Sequence, residues 1–372
     1  MKSILLLGSV ASPAPPKKQG GTERVAYYQA KLLAAQGVPI LFVAGKGTIQ
    51  NFSEELAHEK ADIDALLKHI EFIEIGGGTQ FGNAADAIEL DKSKIEASRK
   101  MRLEMTYLAQ VQQLMIDRKD DYSFILNNMR GEAVLIPLAA MLQKPFVNVM
   151  HLNIFEELAE TFAHYNTHII TIGKHQADAY PHLNHLATIP NPIDVDSFTF
   201  GDSPGNYALM LSTIAYHKNQ KDAILAAQKA HIPLILSGKV RDEDYFKKEI
   251  EPHIDGVNVL LKKELDFVTK ARLYSEASVF LFPIEWEEPF GLVVIEALAS
   301  GTPVIAYPHG EVAEIVKDGK TGFLVNSPEE MAEKIQQIDS IDRAFCRQDV
   351  MERFDEDVVG KLYYKHLQKF IL

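Results

Sequence analysis

The sequence predicts an α/β protein made of two Rossmann-like domains, each a parallel sheet covered by helices. Three observations carry this. Short uninterrupted apolar runs, such as Ile4–Leu7 and Val279–Phe282, alternate with amphipathic stretches, the pattern of strands covered on both faces and their crossover helices. The βα series runs twice, with a break near Pro192. A chain of 372 residues is also too long for one ordinary core. The expected boundaries are 1–191 for the first domain, 192–355 for the second and 356–372 for a terminal helix.

Ile4–Leu7 is the first strand. Together with Lys2 and the small residues up to Ala14 it imitates a secretory leader, but its apolar core is too short and a helix follows, so a strand explains it better. A loop rich in Pro and Lys, Ala11 to Gln19, leads into Gly20-Gly21-Thr22-Glu23-Arg24 and an amphipathic helix from about Val25 to Gln36, capped by Gly37. Pro39–Val43 closes a βαβ unit whose glycines sit where the first strand gives way to its helix. Further strands are Ile70–Ile75 (ending in Gly76-Gly77-Gly78), Phe124–Leu126, Phe146–Met150 and Ile169–Ile172. A helix from Lys92 to Asp117 carries Lys92, Lys94, Arg99, Lys100 and Arg102. Such a cluster is most often a solvated face; the alternatives are contact with anionic lipid or with an anionic acceptor.

His151 falls at the C-terminal end of a strand, where open α/β sheets bind ligands. Asn127, Asn128, Arg130 and Asn153 lie on comparable loops and are candidate acceptor contacts. The second series comprises Tyr207–Leu211, Leu234–Leu236, Val257–Leu261, Val279–Phe282, Val304–Ala306 and Phe323–Val325. A last helix, about Glu356 to Phe370, has a Tyr- and Leu-rich face.

The net charge of -13 argues against broad nucleic-acid binding. A lone cysteine, Cys346, excludes an internal disulfide and argues against a zinc cluster; a reducing cytoplasm fits. No apolar run approaches the ~20 residues of a membrane helix. Asp62-x-Asp64 and Asp194-x-Asp196 have metal-like spacing.

The densest chemical signal is Trp286-Glu287-Glu288-Pro289-Phe290-Gly291-Leu292-Val293-Val294-Ile295-Glu296-Ala297-Leu298-Ala299-Ser300-Gly301. Six of the seven residues from Leu292 to Leu298 are apolar, so the helix is largely buried and its Glu296 needs a partner, for which a ligand hydroxyl is one candidate. The Pro-Phe-Gly start leaves backbone N–H groups at a helix N-terminus, where the dipole favours phosphate. Two carboxylates flanking such an end suit a sugar-phosphate compound. This order and spacing resemble the Glu-x7-Glu signature of the retaining GT-B glycosyltransferases of family 4. So does the continuation Gly301-Thr302-Pro303-Val304-Ile305-Ala306 and Glu314-Ile315-Val316-Lys317-Asp318-Gly319-Lys320-Thr321-Gly322-Phe323-Leu324-Val325. Ile189-Pro190-Asn191-Pro192-Ile193-Asp194 resembles the segment ending the family's N-terminal domain, with Pro192 in place of a Gly.

The resemblance implies a GT-B fold, two Rossmann-like domains facing across a cleft, and a terminal helix returning to the first domain. It implies a glycosyltransferase of hexosyl type that moves a sugar, with retention and without metal or cofactor, from a nucleotide-diphosphate sugar to a hydroxyl acceptor that is a sugar, lipid-linked or small molecule. By the same resemblance, Glu296 accepts ribose hydroxyls, and Glu288 and the N–H groups of Phe290, Gly291 and Leu292 hold the sugar. Lys218 faces the diphosphate, Gly20 and Gly21 lie near donor and acceptor, and His151 contacts the donor sugar; His151, Lys218 and Glu288 are the catalytic candidates. The location expected is cytoplasmic, with peripheral contact at the inner membrane face left open by the basic helix.

The pattern breaks in two places. The family's loop after the second domain's first strand reads Gly-Arg with a Lys five residues on; here Ser212 and Thr213 replace the pair and Lys218 remains. His217, Arg130, Lys17 and Lys18 are the candidate substitute cations. Glu311 stands where a second Gly is common. The rival readings are a sugar phosphorylase or synthase of the same fold and a catalytically silent nucleotide-sugar-binding partner.

Overall fold

The computed structural model describes residues 2–16, 20–58, 63–76 and 92–371. Lys17, Lys18, Asp62, Gly77, Gly78 and the side chains of Lys92, Lys94 and Lys100 lie outside the described residues. The chain divides into two compact units: Met1–Ile172 with Ala177–Ile189 and Gly360–Leu372, and Gly173–Gln176 with Pro190–Val359.

The first unit is a parallel sheet in the order β3-β2-β1-β4-β5-β6-β7. Its strands are β1 (Ser3–Leu7), β2 (Ile40–Ala44), β3 (Ile70–Glu74), β4 (Tyr122–Asn127), β5 (Phe146–Met150), β6 (His168–Thr171) and β7 (His185–Thr188). The sequence pattern missed β7: it lies at the sheet edge, its residues are half-buried or exposed, and His-Leu-Ala-Thr offers no apolar run. The first helix, Gly21–Ala35, begins before the expected Val25 and ends as foreseen. Gly37, at φ +75°, donates to Ala34 O while Val38 donates to Leu33 O, a Schellman stop. The helix Glu132–Met141 escaped notice because Pro137 lies inside it. The strand register brings three ends together: Leu7 pairs with Asn127, and Asn127 with Asn148, so β1, β4 and β5 finish at one rim.

The second unit is a parallel sheet in the order β10-β9-β8-β11-β12-β13. Its strands are β8 (Ala208–Leu211), β9 (Leu234–Ser237), β10 (Val259–Lys262), β11 (Val279–Phe282), β12 (Val304–Ala306) and β13 (Gly322–Leu324). β8 and β11 are the central pair, and the loops leaving their C-terminal ends carry the candidate site. Asp194 caps the short 3-10 helix Val195–Ser197 through its own side chain, so the Asp-x-Asp pair there does local structural work.

Arg343 is 8% exposed and ties this unit together. Its guanidinium donates to Gly201 O (2.6 Å), Ala277 O (3.0 Å), Ser275 O (3.0 Å) and Thr302 Oγ1 (2.9 Å). Burial lowers its pKa, the mark of a cation kept by its acceptors rather than by a counter-charge. Arg343→Met would leave those acceptors unpaired and cost about 2–4 kcal/mol in urea unfolding; a loss under ~0.5 kcal/mol, the surface-substitution range, would contradict this assignment.

Candidate functional site

In the second unit β11 runs out through residues 283–291 into the helix Leu292–Ala299, which buries Val294, Ile295, Ala297, Leu298 and Ala299. Gly291 is the N-cap at φ +100°, a left-handed turn that suits glycine and re-aims the chain into the helix. No side chain caps the helix, and none of the hydrogen bonds among the described residues takes up the N–H of Phe290, Gly291 or Leu292. Phe290 is buried edge-on against Phe354 at 5.7 Å, which anchors the turn.

Glu288, just ahead of this turn, is not a solvated loop residue. Its Oε2 accepts from Lys218 Nζ (2.7 Å) and from Trp286 Nε1 (2.9 Å), with both ion-pair side chains about 15% exposed (14% and 15%). Lys218 also lies over the Trp286 ring, 4.8 Å from its centroid.

The backbone beneath Glu288 is propped by the next loop. Glu311 N–H donates to Glu288 O (3.0 Å), and a Cβ on Gly310 would collide with that oxygen. The Glu311 carboxylate turns toward Gly173 and His175, with His175 Nδ1 3.3 Å from Oε2. Gly173 makes the room: a Cβ there would lie 2.5 Å from Oε2.

Lys218 is placed by its neighbour. Asn219 adopts φ +53° and caps the helix Gln220–Ala230. Its Nδ2 donates to Asp222 Oδ2 (2.9 Å) and to Glu285 Oε1 (3.3 Å), while Tyr307 OH donates to the same Asp222 oxygen at 2.6 Å. Glu285 N–H binds His217 O at 3.0 Å, which joins this knot to the Glu288 loop. Thr213 and Ser212 are held by Gln220, whose Nε2 donates to Thr213 O and Ser212 Oγ. Of the expected substitute cations, His217 stands beside Trp286 (5.4 Å between rings), but burial and Lys218 lower its pKa, so it is neutral near pH 7. Backbone hydrogen bonds join the exposed residues Lys239 and Arg241 to Ile214, next to Thr213.

Glu296, expected to need a partner, has two within the protein. Lys270 Nζ donates to Oε1 (2.6 Å) and Tyr274 OH to Oε2 (3.0 Å). Lys270 in turn faces the rings of Phe267 (5.6 Å) and Phe198 (5.9 Å). Sequence reasoning missed both donors; the one local signal was their i, i+4 spacing, which puts them on one helix face.

In the first unit Gly20 caps the helix Gly21–Ala35 in an extended conformation; a Cβ there would meet Pro16 at 2.8 Å and Glu23 Oε2 at 2.9 Å. Gly21 is exposed and opens that helix. His151 is half-buried, and desolvation pulls its pKa down to about 4, so its ring is neutral at pH 7. Asn128 is 4% exposed and bonds Leu7 O, Gln29 and His151. Arg130 is exposed and Asn153 half-buried on the flanking loops.

Comparisons with known proteins agree with this picture. Residues 198–347 match the family model of the glycosyl transferases group 1. Relatives include the sulfoquinovosyl transferase of Arabidopsis thaliana, 27% identical over 34% of this chain and 23% of that protein. Another is a phosphatidyl-myo-inositol mannosyltransferase of Mycobacterium leprae, 27% identical over 37% of this chain and 39% of that one. The chain thus spans well under half the length of these curated relatives. Solved structures match throughout. A glycosyltransferase from Rickettsia africae superposes with a TM-score of 0.70 at 16% identity, covering 100% of this chain and 99% of that one. Anabaena HepE in complex with UDP and glucose gives 0.69 at 18%, covering 99% and 100%. The two parallel-sheet domains are the Rossmann-like domains of a GT-B fold, and the match to the group 1 glycosyl transferase model lies within the second.

The Asn219 knot makes a direct prediction. Asn219→Ala removes the cap and puts an ill-suited residue at positive φ, and should cost about 1–2 kcal/mol in urea unfolding. Asn219→Gly, which keeps the turn, should cost only a few tenths; equal losses would show that the cap, not the turn, matters.

Proposed function

We propose that this protein is a retaining glycosyltransferase that uses a nucleotide-diphosphate sugar. The observation that carries this reading is the pairing of two half-buried carboxylates, Glu288 and Glu296, around a helix N-terminus whose first amides are unbonded among the described residues. Glu296 takes the ribose hydroxyls: a carboxylate has about four lone-pair sites, and Lys270 and Tyr274 occupy two. Glu288, with the N–H groups of Phe290, Gly291 and Leu292, holds the sugar. Lys218 and the helix dipole stabilise the leaving diphosphate. His151 contacts the donor sugar, Gly20 and Gly21 line the donor and acceptor approach, and Asn128, Arg130 and Asn153 are the acceptor-side candidates.

In this mechanism no carboxylate acts as nucleophile. The acceptor oxygen bonds to the anomeric carbon on the face the diphosphate leaves, and the acceptor proton passes to a diphosphate oxygen. Exclusion of water keeps the donor from hydrolysis. Neither metal nor cofactor is required. The acceptor is a sugar, lipid-linked or small-molecule hydroxyl, no nucleic acid is involved, and the work is done in the cytoplasm or at the inner membrane face. No helix among the described residues is long and apolar enough to cross a membrane. The domains of the reading are 1–191 for the acceptor side and 192–355 for the donor side, with 356–372 crossing back.

Thr213 favours a second reading, a phosphorylase, synthase or silent binding partner of the same fold. An interaction of the missing kind is worth ~3–4 kcal/mol, roughly a hundred- to a thousandfold in rate. Lys239 and Arg241 are joined to the same loop through their backbones, and in this reading they are the candidates to make up part of it.

Two substitutions test the reading. Glu296→Ala should weaken nucleotide-sugar binding about fivefold or more in titration calorimetry, the weight of one or two hydrogen bonds; unchanged affinity removes the ribose assignment. Thr213→Arg should raise turnover if the lost cation limits the rate, and flat or lower turnover would mean the loop has compensated.

A further inference from the structure

Where β1, β4 and β5 of the first unit end, a chain of buried amides leads to His151. Asn128 N–H donates to Leu7 O at 2.8 Å, and its side-chain Nδ2 lies 3.3 Å from the same carbonyl. A carbonyl only accepts, so the atom facing Leu7 is the amide nitrogen and the orientation of Asn128 is set by the backbone. That nitrogen also donates to Gln29 Oε1 at 2.6 Å. Gln29 is 1% exposed on the helix Gly21–Ala35; its Nε2, like the buried hydroxyl of Tyr363 from the last helix, has no hydrogen-bond partner among the described residues.

The remaining Asn128 atom, Oδ1, faces His151 Nε2 at 2.9 Å. An amide oxygen cannot donate, so Nε2 carries the proton. Among the described residues His151 Nδ1 has no partner.

We propose that Asn128 and Gln29 are positioning residues that lock His151 as the neutral Nε2–H tautomer, leaving Nδ1 as a hydrogen-bond acceptor for a substrate hydroxyl. This rests on the glycosyltransferase reading for the identity of the substrate, but not for the tautomer itself. It makes His151 a reader of hydroxyl position rather than an acid: with its one proton committed to Asn128, the ring has none to give a leaving phosphate. It also moves Asn128 from acceptor contact to support, since its side chain is fully engaged and buried.

The test needs no donor. In the full chain labelled with 15N-histidine, long-range 15N–1H spectra at pH 7.5 should show His151, assigned by the resonances lost in His151→Asn, with Nε2 protonated and Nδ1 bare. In Asn128→Leu, with the other histidine resonances unmoved as a control for folding, His151 should lose this single-tautomer signature. Gln29→Leu, one residue further back, should produce a smaller shift in the same direction. An Nδ1–H or doubly protonated ring in the wild type overturns the proposal, as does an unchanged tautomer in a folded Asn128→Leu protein. Once a donor is in hand, Asn128→Leu should raise its KM about fivefold, the weight of one neutral hydrogen bond, with kcat less affected. A normal tautomer with no nucleotide-sugar binding would instead remove the glycosyltransferase reading and leave the lock standing.

Discussion

Everything at the candidate site turns on the cost of keeping two carboxylates partly out of water, and the second unit meets it twice in the same way. Glu288 is held by Lys218 on the face of Trp286, and Glu296 by Lys270 against Phe267 and Phe198. A half-buried carboxylate without a cation would be costly, and a lysine without an anion equally so. An aromatic wall beneath each lysine limits where its flexible stem can go. The result is a pair of preset acceptors on either side of a helix start whose first amides are unbonded among the described residues.

Pairing in advance has a consequence for binding. A ligand hydroxyl can share Glu296 without displacing Lys270 or Tyr274, because each oxygen keeps an open lone pair. In the proposed reading a diphosphate brought to Lys218 shares it with Glu288, so the site is neutralised when empty and re-partitioned when filled, which suits preorganisation better than a bare cluster of like charge. The support reaches outward: Asn219, Asp222, Glu285 and Tyr307 hold the Lys218 loop, and Gly310 and Glu311 hold the backbone of Glu288.

The fold was largely legible because parallel strands buried on both faces write continuous apolar runs. Where the rule lapses the reading lapsed: β7 is a half-exposed edge strand, and Pro137 disguises a helix. At the site, Glu288, Glu296 and Gly291 were visible through their spacing on one short segment. The partners of Glu296, and the residues that support the other site side chains, were not. Lys270 and Tyr274 sit on the preceding helix, Tyr307 beyond the next strand, and Gln29 reaches Asn128 across three crossovers of the first sheet. Such contacts are made by topology, and a local pattern carries no trace of them. The broken positions are the instructive ones. Glu311 has its space opened by Gly173, while the Thr213 loop is held by the Gln220 side chain.

The central claim is that the second unit is a nucleotide-sugar site. The direct measurement is thermal unfolding of the full chain against UDP-, GDP-, ADP-, CMP- and dTDP-sugars, with and without magnesium. A ligand at 100 times its dissociation constant stabilises by ~2.7 kcal/mol, an easily seen shift. The account predicts stabilisation by sugars of one nucleotide base, unaffected by magnesium. No shift with any of them, together with a clear shift from inorganic phosphate or a sugar phosphate, would contradict it.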